Sequence, residues 1–92
     1  MADFLHVFIV RKQGINGAQV EKKLDLAEDW FRYSANTYIL YTTSDARKWY
    51  RRLISFAQPE GSLFICRLDI ETYTGWMTKE FFDWIDQKMT AR

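Results

Sequence analysis

The chain has 92 residues, enough for one domain and too few for two. Hydrophobic residues make up 48% and aromatic residues 17%, which supplies a core and suggests some exposed aromatic surface, on a small domain often a sign of self-association. The formal net charge of +1 argues against a protein that coats itself in nucleic acid, while leaving room for a local basic patch.

The longest apolar run, Val7 to Val10 with Phe4 and Leu5 just upstream, is far short of a membrane span, so no membrane partner is expected. Asp3 and His6 interrupt the start, and no small-residue cleavage site follows to suggest a signal peptide. The lone Cys66 excludes an internal disulfide and fits a reducing, cytoplasmic setting.

In chain order, Phe4 to Val10 is a β-branched and aromatic run without helical spacing, read as a central strand buried on both faces. Two glycines and an asparagine in 11–17 break it. Helical spacing then runs from about Ala18 to Glu28, with Val20, Leu24 and Ala27 on one side. Trp30–Ser34 and Thr37–Thr42 are rich in strand formers, and Ala35-Asn36 between them predicts a tight hairpin in which Asn36 tolerates positive φ. The clearest amphipathic helix spans Ser44 to Ala57, with Ser44 and Asp45 as cap candidates. Its apolar arc holds Ala46, Trp49, Tyr50, Leu53, Ile54, Phe56 and Ala57; Arg47, Lys48, Arg51 and Arg52 occupy the other side. Gln58-Pro59 ends it, and Gly61 permits a left-handed turn. Ser62 to Ile70 is the last strand, with Phe64, Cys66, Leu68 and Ile70 along one face.

This β-α-β-β-α-β order closes naturally into an α+β, ferredoxin-like sandwich with two helices on one face of an antiparallel sheet. Glu71 to Gly75 is a loop or a short edge strand. Thr78 can cap an additional C-terminal helix, about residues 78–89, with Phe81, Phe82, Trp84, Ile85 and Met89 inward and Glu80, Asp83, Asp86 and Gln87 outward. Residues 1–92 therefore read as a single domain.

Candidate chemistry is sparse. Arg47, Lys48, Arg51 and Arg52, joined by Arg32 or Arg67, could contact phosphates, although a charge run of this kind is more often a solvated helix face. His6 has no recognised nucleophile or carboxylate partner and reads as a buried, hydrogen-bonded histidine. One Cys and one His cannot make a structural zinc site. Asp83, Asp86 and Glu80 could hold a hard cation but are explained better as surface charge near a helix start. Cys66 reads as a small core residue. No cofactor and no catalytic residue is assigned.

Trp30, Ser34, Tyr38 and Thr42 recur every four residues, followed by Trp49, Tyr50 and Leu53, by Gly61 to Ile65 and by the aromatic helix with Trp84. This run, Trp30 to Trp84, resembles small prokaryotic proteins of the SinR-like kind. These look related in turn to VapD-like toxins and to the small ferredoxin-like subunit of CRISPR adaptation. The resemblance implies a ferredoxin-like homodimer with a nucleic-acid-related role. In nuclease-like members of that group an aspartate ends the first strand; here that place reads Val10-Arg11-Lys12, and Asp3 lies at the other end.

The sequence thus predicts a non-catalytic homodimeric module that binds protein or nucleic acid. The alternatives are a metal-dependent nuclease or ribonuclease toxin of the same fold and a purely structural assembly subunit.

Overall fold

The computed structural model describes residues 1–91. Its elements are β1 (Asp3–Val10), α1 (Gly17–Leu24), β2 (Asp29–Ser34), β3 (Thr37–Thr42), α2 (Ala46–Leu53), a single 3-10 turn (Ile54–Phe56), β4 (Ser62–Leu68) and α3 (Lys79–Ala91). The sheet runs β2-β3-β1-β4 with every neighbouring pair antiparallel. This is an α+β domain with a four-stranded antiparallel sheet and three helices. Because β3 is antiparallel to both β1 and β2, those two strands run parallel and α1 connects them across β3. By the same geometry α2 connects β3 to β4 across β1.

Strand alternation sorts side chains onto the two sheet faces. Leu5, Val7 and Ile9 of β1 meet Val20 and Leu24 of α1, Trp49 and Leu53 of α2, and Tyr38 and Leu40 of β3 in one core. On the opposite face Phe4, Ile39, Ile70 and Ile85 form a second core, covered by Phe81, Trp84 and Met89 of α3. The added helix therefore covers the face that α1 and α2 leave open. His6 and Phe8, on that second face, are only half-buried.

Several local expectations change. The first helix stops at Leu24 rather than Glu28. Leu24 is its last buried anchor, Leu26 points into water, and Asp25 turns to accept the indole N–H of Trp30 at 2.9 Å. The hairpin at Ala35-Asn36 forms, yet Asn36 keeps a negative φ. A register shift between Arg32 and Ser34 adjusts the strands instead, and the Ser34 and Thr37 hydroxyls hydrogen-bond across the turn. β4 ends at Leu68, so Ile70 enters the second core from a loop, and residues 71–78 have no regular structure. Phe64, expected along a buried face, is exposed.

Gly61 is not left-handed; among the described residues only Gly14 is, at φ 90°. Close approach is what demands glycine at 61. A Cβ there would strike the Val10 carbonyl oxygen and lie 2.8 Å from that of Ala57, both backbone atoms with little freedom to retreat. Gly61 N–H also donates to Ala57 O at 2.7 Å. Gly61→Ala is expected to lower unfolding free energy by roughly 1–3 kcal/mol. Gly75→Ala, where a Cβ meets nothing, should change it by less than about 0.5 kcal/mol. Urea denaturation of the two variants checks the contrast.

Candidate functional site

The basic helix α2 is set in place by its buried side. Asp45 is the N-cap, its Oδ1 accepting Lys48 N–H at 2.8 Å. Ser44 does not cap; its hydroxyl accepts from Arg52 at 3.3 Å. Trp49 is fully buried, and its Nε1 donates to Thr42 Oγ1 at 3.2 Å, a bond that an apolar core must supply. Leu53 and Ala57 follow at four-residue steps and are buried too.

The four cations assigned from sequence then divide. Arg52 is half-buried, its guanidinium 4.6 Å from the centre of the Trp49 ring, so its task is to close the core. Arg47, Lys48 and Arg51 are exposed. Among the described residues the ion pairs engage Arg32 with Glu21, Lys79 with Asp83 and Lys88 with Asp29, and none reaches α2. From Ala46 to Leu53 the helix carries four cations and no carboxylate. Arg51 near its C-terminal end also gains from the helix dipole, which explains part of the charge but not Arg47 or Lys48.

Tyr50 departs from the expected apolar arc. It is 46% exposed, one residue before Arg51 and one turn after Arg47. With Arg47, Asp45, Ala46 and Ile65 of β4 it lines a shallow recess. On the neighbouring helix, Lys22 and Lys23 line a second recess together with Gln19, Leu26 and Phe56. The two further cations suggested from sequence behave differently. Arg32 is tied to its own hairpin, donating to Ser34 O at 3.2 Å and Ala35 O at 2.8 Å, whereas Arg67 is exposed on β4.

The opposite face holds the remaining chemistry. His6 Nε2 lies 2.6 Å from Tyr33 Oη, so the histidine is half-buried and hydrogen-bonded. Cys66 stands directly across the β1–β4 ladder from it and is half-buried. Above them a cavity of about 280 Å³ opens between sheet and α3, lined by Tyr33, Leu68, Tyr73, Phe81 and Ile85. Asp29, at the start of β2, binds α3 to the sheet. Its Oδ2 accepts Trp84 Nε1 at 3.0 Å and pairs with Lys88 at 2.8 Å. Burial pulls the Asp29 pKa upward, but the Lys88, Trp30 and Trp84 hydrogen bonds outweigh it and hold the carboxyl below its ordinary value.

Two of the three carboxylates of α3 are occupied locally, Asp83 by Lys79 at 2.8 Å and Asp86 by the Tyr73 hydroxyl at 3.1 Å, while Glu80 in the first turn is exposed. Asp3 is half-buried at the start of β1, the end remote from Arg11 and Lys12. No group of three or more His, Cys, Asp or Glu among the described residues is arranged to hold a metal ion. No helix among them is long and apolar enough to cross a membrane. Compared with protein-family models, with curated proteins and with solved structures, the chain has no significant match.

Burial lowers the His6 pKa below its ordinary 6.5. A folded pKa below the unfolded one means that the unfolded chain takes up the proton first. Stability is therefore untouched above about pH 6.5 and falls as pH drops below it. Thermal melts between about pH 8 and 5 should show that fall, and His6→Gln should flatten it. Asp29 acts in a separate, lower window, because its depressed pKa stabilises the fold above about pH 4 and that contribution is lost on further acidification. Removing it should loosen α3: Asp29→Ala is expected to cost roughly 1–2 kcal/mol in urea denaturation and to raise hydrogen exchange in Lys79–Ala91 first.

Proposed function

We propose that this protein is a small, non-catalytic, homodimeric ferredoxin-like module that binds nucleic acid through the outer face of α2. The observation that carries this reading is the trio Arg47, Lys48 and Arg51, exposed and without an ion pair among the described residues, on a helix whose span from Ala46 to Leu53 has no carboxylate. Unpaired cations held on one rigid face can replace condensed counterions on a phosphate backbone, the main source of sequence-independent affinity. The interleaved β-α-β units and the strand order β2-β3-β1-β4 support the ferredoxin-like part. Kinship with SinR-like and VapD-like proteins is part of the same proposal and rests on the Trp30 to Trp84 run.

The dimer part rests on apolar side chains left in water away from α2. Phe64 on the free edge strand β4 is 61% exposed and Trp76 is 98% exposed, more than a small monomer ordinarily shows for side chains of this size. Light scattering is expected to give about twice the 11.1 kDa chain mass, and Phe64→Ser with Trp76→Ser to return the monomer. A wild-type monomer at high concentration would remove the dimer from the proposal.

For the basic face, binding of a fluorescent oligonucleotide should weaken steeply with salt. Replacing Arg47, Lys48 and Arg51 with Ala should reduce the magnitude of the log–log salt slope by about two. Arg52→Ala should instead lower stability, because its guanidinium packs on Trp49. Absence of salt-sensitive binding in the wild type would leave a purely structural assembly role.

A further inference from the structure

Resting on that reading of α2, we infer that its ligand is single-stranded nucleic acid, with Tyr50 as a stacking platform for a base beside the phosphate-binding Arg47 and Arg51. Three features of the structure lead there. First, Tyr50 is the aromatic residue of α2 that the core does not take. Trp49, its neighbour, is fully buried, and Trp30 and Tyr38 pack edge-to-face beneath the helical layer, while the Tyr50 ring stands in water. Second, Arg47 lies one turn before Tyr50 and lines the same recess, while Arg51 follows Tyr50 by one residue, about 100° further round the helix and one turn beyond Arg47. Third, the ring borders a recess whose apolar lining residues are Ala46 and Ile65, a surface suited to the flat face of a base. Asp45, the acidic side chain of that recess, is already engaged by the Lys48 N–H as helix cap.

The combination distinguishes single strands from duplexes. In a duplex each base face is covered by the next base pair, so an exposed phenol ring finds only backbone and groove edges. In a single strand the base faces are free, and stacking on an aromatic side chain adds to the phosphate contacts without demanding a sequence. Eight residues of helix span about 12 Å, room for adjacent phosphates on either side of one stacked base. Both ribose and deoxyribose strands offer these groups, so the inferred class is the single strand, irrespective of sugar.

The test is fluorescence anisotropy with labelled oligo-uridine and oligo-thymidine, and with the labelled deoxy strand annealed to its complement, all at one ionic strength. Wild type should bind both single strands at least tenfold more tightly than the duplex. Tyr50→Ala should weaken single-strand binding roughly five- to a hundredfold with the duplex unaffected, whereas Tyr50→Phe should retain it. Since the ring is exposed, circular dichroism and melting of the Ala variant should match wild type. Equal affinity for duplex and single strand, with Tyr50→Ala silent, overturns the stacking inference and leaves the basic-face reading intact. No salt-sensitive binding of any probe overturns both.

Discussion

Trp49 is the side chain on which the arrangement of this protein depends. An indole buried to zero exposure contributes more apolar area than any other core residue here, and it carries one N–H that cannot be left unpaired. Thr42 meets that requirement from the end of β3, and its hydroxyl oxygen also accepts Ser44 N–H at 3.1 Å at the turn into α2. The pair thus locks both the position of α2 over the sheet and its rotation about its own axis. Once Trp49 and Leu53 point inward, Arg47, Lys48, Tyr50 and Arg51 have only the outer face, and Arg52 is left at the margin over the indole. The candidate binding surface is a geometric consequence of how one tryptophan is buried.

The two sides of the sheet are closed by different means. Under α1 and α2 the contacts are aliphatic and aromatic, a single continuous cluster around β1. Under α3 the core is smaller and is fastened by Asp29, which takes the Trp84 indole N–H and the Lys88 ammonium on one oxygen. Phe31, Phe81 and Trp84 pack tilted or edge-on around it, as ring quadrupoles favour. Because α3 lays its apolar arc on the sheet, what stays open on that face is the cavity lined by Tyr33, Leu68, Tyr73, Phe81 and Ile85.

Much of this was legible along the chain. β1 shows itself by an apolar run without helical period, and α2 by Trp49, Leu53 and Ala57 at four-residue steps opposite four cations. The element order follows from such patterns, since each reflects which side of a strand or helix must leave water. Less legible were the places where one residue answers to two demands. Tyr50 has the angular position of a core residue, yet the space beneath the helix is filled by Trp49, so its ring stays outside. Gly61 reads as a turn residue, but its necessity comes from the Val10 and Ala57 carbonyls approaching from separate segments. Arg32 and Arg52 look like free cations in the sequence; the hairpin carbonyls and the Trp49 ring engage them.

By itself, then, the sequence determined the succession of strands and helices, the apolar side of each, and the concentration of positive charge on one helix. These are local properties, written in period and composition. Only the tertiary structure decided which sheet face α3 covers, which cations are left without an ion pair among the described residues, and that Tyr50 stays exposed beside Arg47 rather than entering the core. Those outcomes depend on side chains far apart in sequence competing for the same space and the same hydrogen-bond partners, and no single stretch of chain encodes that competition.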